Sequence, residues 1–239
     1  MIGGKYGTAL QIAAHLASKP IVKMLLDAWA DINLVHGEYG PALQTAAYEG
    51  SKDIVKMLLN AGADINMISG KYGTALQASA YGKSEPIIRM LLDAGADVNI
   101  IGGEYGTALQ AAAYGKSKPI LRMLVDAGAD INIVGGQYGT ALQAAVAWNE
   151  PETESIVKFL LDAGANPNLK GGVYRSASKA AKALGLQTIE HMLLKAGADD
   201  PEEVAVMEVV VSQMPILDSG QFFGHADHFS MFNHFVFKR

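Results

Sequence analysis

Five times in succession the chain writes Tyr-Gly-x-Ala-Leu-Gln, starting at Tyr6, Tyr39, Tyr72, Tyr105 and Tyr138, always 33 residues apart. A worn sixth copy starts at Tyr174, 36 residues further on. A fixed period in this range constrains the fold more than length or composition can. Each unit is too small to bury its own apolar face and must bury it against the units before and after. The chain is therefore expected to be a solenoid, and a solenoid presents an extended surface rather than an enclosed pocket.

The fourth copy shows the local logic most clearly. Thr107-Ala108-Leu109-Gln110 has the spacing of a capping box, in which the Thr107 hydroxyl accepts from the Gln110 N–H and the Gln110 side chain returns to the Thr107 N–H. Thr8/Gln11, Thr74/Gln77 and Thr140/Gln143 repeat it; Pro41 removes the hydroxyl from copy two, and Ser176 with Lys179 keeps half of it in copy six. A short alanine-rich helix is predicted over Ala108–Tyr114, with Leu109 as its main buried bulk. A second helix follows Ser117, tolerates Pro119 in its first turn, and lays Ile120, Leu121, Leu124 and Val125 along one stripe. Gly128 supplies a left-handed stop. Gly135-Gly136-Gln137-Tyr138-Gly139 then makes a glycine-rich finger leading to the next unit.

Thr-Ala-Leu-Gln-x-Ala-Ala, followed by Ile-Val-Lys-Met-Leu-Leu-Asp-Ala-Gly-Ala-Asp-Ile-Asn, resembles the ankyrin repeat. Alanine stands where that family has proline, and glutamine where it has histidine. The resemblance covers residues 2–199 and implies an all-α solenoid of about six helix-turn-helix units with β-hairpin-like fingers. The units run over about 2–34, 35–67, 68–100, 101–133, 134–169 and 170–199. It also implies a protein-binding function through the concave face, as adaptor, scaffold or sensor, and no enzymatic activity. The Gly-Gly-x-Tyr-Gly-Thr-Ala-Leu-Gln variant is similar to arrays of filamentous fungi, many of them C-terminal to NACHT- or NB-ARC-type signalling ATPases. A fragment of such a protein is one alternative reading, and an ankyrin transcriptional co-regulator is another.

Positions that differ between otherwise identical copies are the ones free to carry specificity. Four residues after each capping glutamine, or its equivalent, stand His15, Tyr48, Tyr81, Tyr114, Ala147 and Ala183, a ladder expected to meet the partner. Tyrosine suits that role, offering rigid contact area and one hydroxyl. The fingertips carry Lys5, Glu38, Lys71, Glu104, Gln137 and Val173, open to pairing between fingers or to partner contact. The finger tyrosines are expected to brace their own fingers and not to stack on each other, because helical layers lie ~8–10 Å apart. Lys23, Lys56, Arg89, Arg122 and Lys158 read as a solvated face, with acids four residues on for all but Lys56.

Several irregularities interrupt the pattern. Trp29 takes the place of Gly62, Gly95, Gly128, Gly164 and Gly197, a costly exchange at a left-handed position, so copy one is expected to fray. Lys83 and Lys116 stand where a turn glycine is expected, with Gly82 and Gly115 one place earlier. The fifth copy holds three extra residues around Trp148-Asn149-Glu150-Pro151-Glu152-Thr153-Glu154, giving an acidic bulge with an exposed Trp148 as a further candidate contact. The first copy lacks a polar cap, which points to a longer chain or to pairing there and otherwise to a monomer. Residues 200–217 open with Asp200-Pro201-Glu202-Glu203 and read as a capping helix; 218–239 read as a loosely packed aromatic tail.

Composition removes other functions. With no cysteine there is neither a disulfide nor a thiolate metal site. No apolar run reaches the ~20 residues a membrane helix needs, and the start lacks signal-peptide character. A cytoplasmic or nuclear setting is expected. Of the net charge of −5, residues 200–239 carry −4 (six acids against Lys238 and Arg239), leaving −1 on the first 199 residues. So neutral an array has little counterion release to drive nucleic-acid binding. No catalytic group and no cofactor is expected. His225, Asp227, His228 and His234 have metal-ligand chemistry without a framework to fix them, so a metal-dependent enzyme is the least favoured reading.

Overall fold

The computed structural model describes residues 7–199. The readings placed on Lys5, Tyr6, the 200–217 helix and the aromatic, histidine-bearing tail lie outside those residues. Twelve helices follow one another in six pairs, and no strand forms among the described residues. The first helices are α1 (Ala9–His15), α3 (Ala42–Tyr48), α5 (Ala75–Tyr81), α7 (Ala108–Tyr114), α9 (Ala141–Val146) and α11 (Ala177–Ala183). The second helices are α2 (Lys19–Asp27), α4 (Lys52–Asn60), α6 (Glu85–Asp93), α8 (Lys118–Asp126), α10 (Thr153–Asp162) and α12 (Gln187–Lys195). Each first helix packs on the first helix of the next unit and on its own second helix, which gives the all-α solenoid.

Small side chains make that stacking possible. Ala46, Ala47, Ala78, Ala80, Ala111, Ala112 and Ala113 are fully buried, as are the leucines Leu43, Leu76, Leu109 and Leu142. From the second helices Ile54, Ile87 and Ile120 join them, with Leu58, Leu91 and Leu124 one turn further on. The methionines of this row are less buried than a core reading implies: Met57, Met90 and Met123 are half-buried at its margin, and Met24 is exposed. In the first unit Ile21 is 48% exposed, whereas Ile54, Ile87 and Ile120 are at most 1% exposed. Ile12, Leu16 and Met24 are exposed with it, so the face that inner units bury is open in unit one.

Four capping boxes close in full, at Thr8, Thr74, Thr107 and Thr140, and Ser176 keeps the half expected of it. The glutamine does more than cap. Its Nε2 crosses to the next finger: Gln11 donates to the carbonyls of His36 (2.8 Å) and Gly40 (2.7 Å), Gln77 to Ile100 (2.9 Å), Gln110 to Ile133 (3.2 Å) and Gln143 to Gly171 (3.0 Å). Each of these glutamines is at most 2% exposed. A buried amide whose oxygen serves one unit and whose nitrogen serves the next is a rivet between them, at ~0.5–1.5 kcal/mol net per bond. Copy two is the exception. Pro41 has no N–H, and the buried Gln44 Oε1 is left with no hydrogen-bond partner.

A second joint runs along the exits of the second helices. The side-chain oxygens of Asn33, Asn66, Asn99, Asn132 and Asn168 accept from the backbone N–H of Asp64, Asp97, Asp130, Asn166 and Asp199, all at 2.7–2.9 Å. Asn99, Asn132 and Asn168 also donate to the carbonyls of Gly128, Gly164 and Gly197. The asparagine in Asp-Ile-Asn is thus a connector between units.

Trp29 does occupy the left-handed region, at φ 58, and is 93% exposed. It does not shorten its helix: α2 keeps the nine residues of α4, α6 and α8. Its cost is conformational, because a Cβ at the equivalent Gly62, Gly95 or Gly128 meets nothing within 4 Å. The predicted charge pairs within the second helices do not close among the described residues. The pairs that form, Lys19 with Asp53 and His15 with Glu49, cross between units instead.

Candidate functional site

The two tyrosine ladders merge into one row. Tyr72, Tyr105 and Tyr138 from the fingers are buried, at 3–9% exposed, while Tyr48, Tyr81 and Tyr114 from the first helices are half-buried. Their rings interleave: Tyr48 lies 4.7 Å from Tyr72, Tyr72 5.4 Å from Tyr81, Tyr81 4.7 Å from Tyr105, Tyr105 5.1 Å from Tyr114, and Tyr114 4.7 Å from Tyr138. Within each ladder the rings also stack, Tyr39 on Tyr72 at 6.1 Å and Tyr105 on Tyr138 at 6.2 Å, Tyr48 on Tyr81 at 6.0 Å and Tyr81 on Tyr114 at 6.2 Å. These distances fall in the range aromatic pairs prefer. The expectation that finger rings do not stack is overturned.

The reason lies in the fingertips. Lys71 donates its backbone N–H to the carbonyl of Glu38 (2.8 Å), Glu104 to Lys71 (2.8 Å), Gln137 to Glu104 (2.7 Å) and Val173 to Gln137 (3.0 Å). Directly bonded backbones sit at ~4.7–4.9 Å, about half the spacing of packed helical layers. Units that lie far apart at the helices therefore converge at the fingers and bring their tyrosines into contact. Glycine allows the approach: a Cβ on Gly103, at φ 60, meets the Gly73 nitrogen and Tyr72 carbon at 2.5 Å. From the third copy on, each finger is closed at its base by an isolated antiparallel bridge, Ser69 to Gly73, Gly102 to Gly106, Gly135 to Gly139 and Gly171 to Arg175.

The candidate residues fall along this row. At its start the His15 ring stacks on Tyr39 (6.4 Å, 5° between planes), and His15 Nδ1 lies 2.8 Å from Glu49 Oε1. Glu38, Lys71, Glu104 and Gln137 follow as fingertips, joined through their backbones. The Lys71 ammonium lies over the Tyr72 ring at 5.9 Å. Trp148 closes the far end. It is half-buried, not exposed, with its ring edge-on to Tyr114 at 6.1 Å. Ala147 breaks the ladder in sequence, and the inserted segment restores it by supplying Trp148 from the next position.

Burial sets the protonation of the row. It raises the hydroxyls of Tyr48, Tyr72, Tyr105, Tyr138 and Tyr174, and pushes Tyr114 up to about 12. Those six hydroxyls stay protonated at neutral pH.

Lys116, marked in the sequence only as an irregular turn residue, has a contact the sequence did not disclose. It adopts φ 57, is 8% exposed, and its ammonium donates to the carbonyl of Ala145 in the last turn of α9. In α5 and α7 the final carbonyls are taken by backbone N–H groups of a closing turn, such as Ser84 to Ser79 and Ser117 to Ala112. The insertion leads the chain away from that turn after α9, and Lys116 takes over. Desolvation lowers it to about 8 against the pull of Glu150 and Glu152. The Gly-Lys order at 115–116 is the sequence trace: glycine stands one place early, where a Cβ would meet nothing closer than 3.3 Å, and the left-handed position falls on lysine.

Among the described residues no group of three or more His, Asp or Glu is placed to hold a metal, and no helix is long and apolar enough to cross a membrane.

A family model for ankyrin repeats (three copies) matches residues 10–102 and 76–171. The chain belongs to the ankyrin repeat family. Its fold is similar to an ankyrin repeat domain from Acinetobacter baumannii AYE, at 31% identity and a TM-score of 0.63, covering 80% of this chain and 98% of that one. It is also similar to the ankyrin repeat domain of Bcl-3, a member of the IkappaB protein family, at 26% identity and a TM-score of 0.64, covering 83% and 89%. Among curated proteins none matches the chain. Ankyrin repeats are in general non-enzymatic modules of protein–protein interaction.

Proposed function

We propose that this ankyrin array binds another protein through the face between its first helices and its fingers. The observation that carries the reading is the unbroken aromatic row from His15 to Trp148, its three helix tyrosines half-exposed. Tyr48, Tyr81 and Tyr114 form the centre of the contact, His15 and Trp148 its ends, and Glu38, Lys71, Glu104 and Gln137 its finger-side rim. Rigid aromatics already locked against their neighbours lose little freedom on binding, which is what makes tyrosine and tryptophan strong anchors. The second-helix face carries the exposed Arg89 and Arg122 and no such row.

Affinity capture from source extract tests this. Tyr81→Ala with Tyr114→Ala is expected to abolish recovery of the bound protein, while Arg89→Ala with Arg122→Ala retains it, both variants keeping helical circular dichroism. Equal recovery with both variants would remove the assignment.

A further inference from the structure

We infer that the groove takes an extended, unfolded segment of its partner, held by alternate backbone carbonyls on the Tyr48, Tyr81 and Tyr114 hydroxyls. This rests on the protein-binding reading above and specifies the form of the ligand. The three helix rings repeat at 6.0 and 6.2 Å and are nearly parallel, at 18° and 26°, so their hydroxyls repeat at a similar interval. An extended strand repeats its same-side carbonyls every two residues, at ~6.6–6.8 Å. A polyproline II segment repeats a face every three residues, at ~9.3 Å, and misses the second tyrosine. A helix has already used its carbonyls internally. Over two intervals the mismatch with an extended strand is about 1 Å, which the splay of the rings accommodates.

The hydroxyls face the right way in chemical terms. A tyrosine oxygen can accept and also donate. Tyr48, Tyr81 and Tyr114 each lie 4.7 Å from a more buried finger tyrosine, Tyr72, Tyr105 and Tyr138, so the helix rings are the ones nearer the open face. Their hydroxyls can donate to a ligand carbonyl.

A strand lying with carbonyls toward this floor throws its side chains alternately to the two rims. Those rims differ in charge at the centre of the row. Exposed Glu104 stands on the finger side, immediately before Tyr105, and exposed Lys83 on the turn side, with its stem against Gly115 beside Tyr114. The bound segment therefore carries a basic and an acidic residue next to each other at its centre, the first toward Glu104 and the second toward Lys83.

Two phage-displayed libraries selected in parallel on the array decide the matter, one of linear dodecapeptides and one presenting randomised faces of a folded helical scaffold. The expected result is enrichment of linear peptides with an adjacent acid–base pair. Their affinity falls at least tenfold in Tyr48→Phe/Tyr81→Phe/Tyr114→Phe, which keeps the rings and removes only hydroxyls. Linear binders indifferent to that triple change, or lacking the charged pair, overturn the inference. Enrichment of scaffold binders alone, lost in Tyr81→Ala/Tyr114→Ala, also overturns it while leaving the protein-binding reading intact. Failure of both libraries counts against that reading itself.

Discussion

Lys116 is a buried cation that holds a helix end together. Its ammonium binds the Ala145 carbonyl, and burial holds it at about 8 against an ordinary 10.5. Between those two values the unfolded chain keeps a proton that the folded chain releases, so stability rises with pH across that window. Below pH 8 the whole cost of the buried charge is felt; above 10.5 none of it is. We expect the unfolding free energy to increase between pH 8 and about 9.5, by at most ~1.4 kcal/mol per pH unit. Lys116→Met is expected to flatten that rise in urea titrations. A rise of the same slope in the variant would assign it to another group.

At the scale of the element, four of the six first helices are secured by the same two side chains, and copy two shows what happens when one is missing. Pro41 withdraws both the hydroxyl and the N–H, and Gln44 Oε1 is orphaned in the core. Pro41→Thr restores both bonds seen at Thr74 and Thr107, at the expense of a stiffer unfolded chain. A cap is worth ~1 kcal/mol, a satisfied buried acceptor ~1–3, and the lost proline ~0.4–1. A net stabilisation of about 1–2 kcal/mol is expected, read from the denaturant midpoint; a lower midpoint would show that the orphaned oxygen costs nothing. Helix positions and caps were legible in the sequence because Thr, Gln, Ser and Gly act within three or four residues of themselves. The far reach of Gln110 to Ile133, and of Asn99 to Asp130, was not, since both act across a whole period. The candidate residues were legible as a ladder of ring types. Their contact was not, because it depends on finger spacing set by backbone bonds that leave no mark on residue identity. Trp148 was singled out but placed as an exposed side chain, because an insertion's path cannot be read from its length.

On the scale of the whole molecule, the tyrosine row ties stability to alkali. Tyr48, Tyr72, Tyr105, Tyr114, Tyr138 and Tyr174 all titrate higher when folded. Their contribution is complete below the unfolded value near 10 and is lost as pH rises past it. The sign is opposite to that of Lys116, so stability should pass through a maximum between the two regimes. Above pH ~10 the array is expected to unfold cooperatively, with tyrosinate absorbance and loss of helical signal appearing together. Stepwise ionisation with helices intact would show that the rings are not held as a unit.

The joints between units have one more property. Glutamine to finger, asparagine to exit loop and fingertip to fingertip recur at matching positions in successive units. The trailing side of one unit therefore fits the leading side of another besides its immediate neighbour. A gene encoding such a chain can duplicate or lose a whole repeat by unequal recombination without inventing a new junction. Each event lengthens or shortens the aromatic row by two rings. Lineages of this protein are free to vary the reach of the surface in steps of one unit, while the chemistry inside each unit stays fixed.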